Sequence, residues 1–244
     1  MTLKEFKMDL HVHTCLSPCA EPEMVPTAII KRAKHQNLDT IAICDHNCAE
    51  NVPAVRKAGQ KQGINVIGGM EICSSEEAHI LTFFDDDDAL FEMQNIVHEN
   101  LPGVNDENYF GRQLIVDEND KVVSSCKKLL IDSTSLGVDK IVQFAHKLGG
   151  LAVASHIDRA VFGIIAQLGF IPENLPLDAL EISSACGSAD LEKYRNYNLP
   201  LITSSDSHVL ADIGTVFTTY LLKAPVFSEL AMAFRGIKSR AVNI

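Results

Sequence analysis

Short apolar runs alternate along this chain with longer stretches in which apolar side chains recur every three or four positions. Residues 6–12, 39–46, 64–72 and 77–84 read as strands, and 24–37, 52–63 and 85–100 as amphipathic helices. The link between 64–72 and 77–84 is too short for a crossover helix, so that pair is expected to be antiparallel. Residues 112–126 break the alternation and read as a β-hairpin turning at "DEND". Helices at 138–150, 161–169, about 188–195 and 226–238 then alternate with strands at 151–155, 178–183, 199–205 and 217–222. Repeated strand–helix units imply a parallel sheet, either open or closed into a barrel. About seven strands are barrel candidates, fewer than the eight of a standard barrel. No composition break marks a second domain. The expectation is a single domain over residues 1–244 with an insertion at about 100–137.

Composition narrows the class. The 244 residues, 46% of them hydrophobic and 22% charged, can bury a sizeable core. No apolar run approaches the roughly 18 residues of a membrane helix, and "MTLKEFKMDL" is too polar for a secretory signal. Seven cysteines, an odd number at irregular spacing, fit a reducing compartment, so the expected location is cytosolic. Cys44, Cys48 and Cys73 read as small apolar packing groups without zinc-knuckle spacing. The net charge of −11 argues against a binder of long nucleic acid and leaves a small phosphorylated substrate as the expected partner, with no membrane.

Candidate chemistry gathers at the ends of the strands. His11 and His13 close the first strand, Asp45 and His46 the second, and Glu71 lies in the third. His79 opens the fourth, which fits if that strand is reversed. His156 follows the fifth, and Asp206 and His208 follow "LPLITSS". In an α/β barrel the carboxyl ends of parallel strands share one mouth. Six of the nine histidines would meet there, whereas His35, His98 and His146 are scattered over helices. Each motif alone has an ordinary reading as a helix cap, a salt bridge or a hydrogen-bonded histidine. The conjunction points instead to metal. Imidazoles and carboxylates suit Zn²⁺, Mn²⁺ or Fe²⁺, and so many ligands suit two or three ions.

"DLHVHT", "ICDHN", "GGMEI", "EAHIL", "ASHID" and "SSDSH" resemble, in this order, the motifs of the PHP (polymerase and histidinol phosphatase) superfamily of metal-dependent phosphoesterases, in a bacterial stand-alone branch. The resemblance implies a distorted seven-stranded (β/α) barrel, here with a β-hairpin insertion, and a trinuclear metal site. It implies that His11, His13, Glu71 and Asp206 hold one ion. Glu71 would bridge to a second ion held also by His79 and His156, and His46 and His208 would hold the third. The stretch "SPC" departs from the family pattern, which there carries a further His or Asp. Cys19 is either a thiolate ligand, which would bias the site towards zinc, or a neutral thiol, with Glu21 and Glu23 as fallbacks.

Metal ions make phosphate esters hydrolysable by neutralising oxygens and activating water. The expected reaction is hydrolysis of a small phosphate monoester, of nucleotide or histidinol-phosphate type, by a hydroxide shared between the ions that Glu71 joins. Asp206 or His208 would assist proton transfer to the leaving oxygen. Arg159 would pair with the substrate phosphate or form a helix-end salt bridge. Asp9 and Asp45 would orient imidazoles or cap the following segments. Two other readings stand beside this one: a phosphodiesterase or exonuclease on short oligonucleotides or nucleotide bisphosphates, and a non-catalytic metal-binding module.

Overall fold

The computed structural model describes residues 2–244. In chain order its strands are β1 (Lys4–Val12), β2 (Thr40–Ile43), β3 (Asn65–Cys73), β4 (His79–Phe84), β5 (Leu114–Val116), β6 (Val122–Ser125), β7 (Leu151–Ala154), β8 (Ala179–Ile182), β9 (Leu201–Thr203), β10 (Thr218–Leu222) and β11 (Ala241–Asn243). The helices are α1 (Pro26–His35), α2 (Val52–Gln62), α3 (Asp87–Glu99), α4 (Glu107–Phe110), α5 (Val138–Lys147), α6 (Ile164–Leu168), α7 (Ser188–Arg195) and α8 (Phe227–Phe234). Local chemistry sets their ends. Pro26 starts α1, Gly63 closes α2 in the left-handed region at φ 76°, and the Asp86 carboxylate caps α3 by accepting the Ala89 N–H at 2.9 Å. No helix among the described residues is long and apolar enough to cross a membrane.

Nine strands form one sheet in the order β11-β10-β1-β2-β3-β4-β7-β8-β9. β1, β2 and β3 pair in parallel, as do β7, β8 and β9; β4 lies antiparallel between β3 and β7. Seven strands therefore share one direction and two, β4 and β10, are reversed; the reversal of β4 brings its start to the rim where β3 and β7 end. The sheet almost closes on itself. Thr218 on β10 both accepts from the Thr203 N–H and donates to the Thr203 carbonyl, and Ser207 beyond β9 bridges in parallel to Val12. The seven-strand expectation is thus corrected: the short β11 joins β10 beside β1, and its three residues carry too little pattern to read as a strand.

Two buried clusters divide at the sheet. Helices α1, α2, α3 and α5 pack Ile29, Val55, Leu90 and Ile141 against the outer face, where Ile41, Ile43 and Ile72 lie. The inner cluster holds Met8, Leu10, Cys44, Phe83, Val153 and Tyr220. β1 changes sides between them, because its pairing with β2 shifts register between Asp9 and Val12. Met8 and Leu10 belong to the inner cluster but Val12 to the outer one. This bulge re-phases the alternation and delivers His11 and His13 to the inner face. Gly69 on β3 permits the tight approach of β4, since a Cβ there would stand 2.5 Å from the Thr82 carbonyl oxygen.

The hairpin β5–β6 forms at residues within the expected 112–126 and turns on Asp117, whose carboxylate accepts from the N–H groups of Asn119 and Lys121. It docks on the rim. Asn51 donates to the Leu114 carbonyl and accepts from Val116, while Asn47 donates to the Leu130 and Asp132 carbonyls.

Candidate metal centre

At the rim of the sheet the side chains of His11, His13, His46, Glu71, His79, His156, Asp206 and His208 converge. Glu71 is at the middle and 1% exposed. Its Oε2 lies 3.4 Å from the Nε2 atoms of both His11 and His13 and 3.2 Å from Nδ1 of His46. Its Oε1 lies 2.9 Å from Nδ1 of His79 and 3.1 Å from Nε2 of His156. Asp206 Oδ1 completes the first group at 3.3 Å from both His11 and His13.

These separations suit a divalent ion. A tetrahedron whose corners lie about 2.0–2.1 Å from its centre has edges of about 3.3–3.4 Å. The His11–His13 Nε2 pair, at 3.2 Å, and the four contacts of that pair to Glu71 and Asp206 all fall at this spacing. Asp206 Oδ1 and His156 Nδ1 are moreover buried without a hydrogen-bond partner. Two further donor groups overlap the first: His13 with His46 and His208, and His46 with Glu71 and His79. The residues therefore fit metal.

The second layer fixes the rings. His11 Nδ1 donates to Glu181 Oε2 at 3.0 Å. His13 Nδ1 donates at 3.0 Å to the Ser17 hydroxyl, whose own proton is directed at Asp45 Oδ1, 2.6 Å away. His208 Nδ1 donates to the Asp206 carbonyl at 2.9 Å. In each case the proton held on Nδ1 leaves the Nε2 lone pair free for a metal. Asp45 thus acts on His13 through Ser17. Asp9 touches no imidazole: it accepts from the N–H groups of Ser205 and Gly214 and anchors the segment that carries Asp206. Glu181 was not among the sequence candidates. Its signal was a lone acidic residue in the apolar strand "ALEI", and it is 2% exposed. Two ligand positions adopt the left-handed backbone region, His156 at φ 26° and Asp206 at φ 50°, the kind of strain that accumulates at functional sites.

Charge is distributed accordingly. Burial alone would raise the Asp206 and Glu71 carboxyls, but the facing imidazoles hold both well below the usual range. Burial opposes a charge on His13, and the facing Asp206 and Glu71 carboxylates outweigh it, raising the imidazole to about 9. Without metal, His13 is protonated at neutral pH. A divalent ion must displace that proton, so affinity should fall as pH drops below about 9 and binding should release protons near neutrality. Calorimetric titration with Zn²⁺ in buffers of different ionisation enthalpy measures this directly. Identical heats in all buffers would contradict it.

Three candidates stand apart from the donor groups, the first being His156, which faces Glu71 but joins none of them. Cys19 is exposed and its sulfur belongs to none of them. Arg159, at 44% exposure, donates to Asp206 Oδ2 at 2.5 Å. Beside it the Phe162 ring, 37% exposed, stacks on His79 at 4.5 Å and 9°.

Residues 9–174 match the family model of the PHP domain, and residues 191–237 match the PHP-associated region. The chain belongs to the PHP family. A 5′-3′ exoribonuclease of Haemophilus influenzae is 32% identical over 71 residues, a match covering 29% of this chain and 25% of that protein. The chain thus spans about a quarter of the length of that relative. Among solved structures, the lesion-specific endonuclease PfuEndoQ of Pyrococcus furiosus superposes with a TM-score of 0.71 at 18% identity, over 98% of this chain and 58% of the other. An Endonuclease Q complexed with a 27-mer duplex bearing an abasic lesion gives a TM-score of 0.72 at 18% identity, with the same coverage. These relatives overturn the exclusion of long nucleic acid drawn from net charge. In that complex a similar fold holds a duplex, and net charge is a poor guide because what a strand meets is the local field of a site, not the charge of a whole chain.

Proposed function

We propose that this PHP protein is a metal-dependent phosphodiesterase that cleaves nucleic acid strands. The observation that carries the reading is Glu71, whose two oxygens address separate sets of imidazoles. In this reading His11, His13, Glu71 and Asp206 hold one ion, Glu71 with His79 and His156 a second, and His46 with His208 a third. Divalent ions, when bound there, neutralise phosphate oxygens and activate water.

The remaining roles belong to the protein. Access is from the side of His208 and Arg159, whose side chains are 28% and 44% exposed while His11 and His13 are fully buried. Arg159 exchanges Asp206 for a phosphate oxygen of the strand, a pairing that its planar guanidinium favours. Phe162, with one ring face on His79 and part of its surface in solvent, offers a neighbouring base a stacking platform. Asp206 and His208 lie on the open side of the centre, from which a proton can reach the leaving oxygen. The nuclease relatives favour a diester over the monoester expected from charge.

Zinc- or manganese-loaded protein should cleave 5′-phosphorylated RNA or DNA oligonucleotides, or a duplex with an abasic site, and His13→Ala should not. Release of phosphate from p-nitrophenyl phosphate with all of these oligonucleotides left intact would overturn the proposal.

A further inference from the structure

Outside the centre just described, one more group of metal-capable side chains among the described residues closes on itself. The Sγ atoms of Cys48 and Cys126 and a ring nitrogen of His98 all lie within 4.8 Å of one another. They come from three separate parts of the fold. Cys48 follows His46 in the loop after β2, His98 is in the last turn of α3, and Cys126 follows β6 in the insertion. Both cysteines are buried and reduced.

We propose that Cys48, His98 and Cys126 form a structural zinc site that pins the insertion to the loop carrying His46. Two sulfurs bound at about 2.3 Å to one tetrahedral ion stand about 3.8 Å apart, within the span seen here. His98 Nε2 is buried without a hydrogen-bond partner, although both sulfurs lie within 4.8 Å of a nitrogen of its ring. Gln94, one helical turn before His98 and on the same face, organises the loop side. Its Oε1 accepts from the Ala49 N–H at 2.7 Å and from Cys48 Sγ at 3.4 Å, and its Nε2 donates to Glu50 at 3.0 Å. The Glu50 carboxylate, held by Gln94, stands outside the three-donor group, which leaves the fourth position of a tetrahedral ion to solvent. Lys128 is the nearby cation, and its ammonium is engaged by the Leu101 carbonyl at 2.7 Å. Loop residues Asn47 and Asn51 already bind the insertion on either side of Cys48. Zinc binding would release the two thiol protons to solvent and replace apolar packing of Leu16, Leu101 and Leu130 around free thiols with a coordinated cross-link.

Cobalt(II) tests this, because its thiolate charge-transfer band reports sulfur ligation, and sulfur is absent from the donor groups at the rim. Cobalt-substituted protein should show the band. Cys126→Ser should abolish it and lower bound metal by one equivalent per chain, Cys19→Ser should leave it intact, and His98→Gln should weaken cobalt binding with both sulfurs retained. Circular dichroism on each variant separates ligand loss from unfolding. The proposal fails if wild-type protein has no band or if the band is lost only in Cys19→Ser. It also fails if intact mass shows the purified chain joined by a Cys48–Cys126 disulfide. None of these outcomes depends on whether nucleic acid is cleaved.

Discussion

Glu71→Gln should leave a folded protein with little bound metal and phosphoester hydrolysis reduced by about three orders of magnitude, the equivalent of roughly 4 kcal/mol of transition-state stabilisation. The amide keeps the volume of the carboxylate in a site with no room to spare, so the core should hold. What is lost is charge. Glu71 is the one carboxylate within reach of five imidazoles, through Oε2 to His11, His13 and His46 and through Oε1 to His79 and His156. An amide offers one oxygen where the carboxylate offers two, so it cannot serve both sets. Elemental analysis alongside cleavage rates checks both parts. Normal metal content with normal rates would remove Glu71 from the centre.

The second large effect concerns a residue that touches no donor group directly as a ligand. Glu181→Ala should weaken metal binding about 10–100-fold, the usual cost of removing the partner that orients a ligating histidine. Glu181 Oε2 accepts from His11 Nδ1, from the Ser155 hydroxyl and from the His156 N–H, at 3.0, 3.0 and 3.2 Å. Removing it frees the His11 ring and leaves two buried donors, the His11 Nδ1–H and the His156 N–H, without partners, whereas the Ser155 hydroxyl can donate to Glu71 Oε1, also 3.0 Å away. Glu181→Gln, which retains an acceptor, should recover part of the affinity. A merely structural role would show equal losses of thermal stability in the two variants and no difference in metal affinity between them.

The "HVH" spacing placed two imidazoles on one face from the alternation of a strand, and they are on one face. Alternation counted from Met8 would have set them opposite Leu10, however, and the bulge between Asp9 and Val12 brings them to the same side. Such a bulge has no marker in the residues themselves. The reversed β4 was legible because a chain of a few residues cannot cross over a sheet, and it explains why His79 opens its strand while the other ligands end theirs. Cys48 is buried among apolar side chains, and its nearness to Cys126 depends on how a distant insertion folds back. Net charge misled most, because it averages over the surface a property that matters only at the mouth.

Short-range physics therefore determined much of this protein. Periodicity marked every strand but β11 and most helices, connection lengths marked the reversed β4, and residue type marked the metal-capable side chains at strand ends. The tertiary structure alone decided the rest: the phase of β1, the nine-stranded sheet, the placement of Glu181 behind His11, and the meeting of Cys48, His98 and Cys126. Periodicity and connection length act between neighbours in the chain, whereas convergence across 170 residues, as between His11 and Glu181, exists only after the sheet has closed.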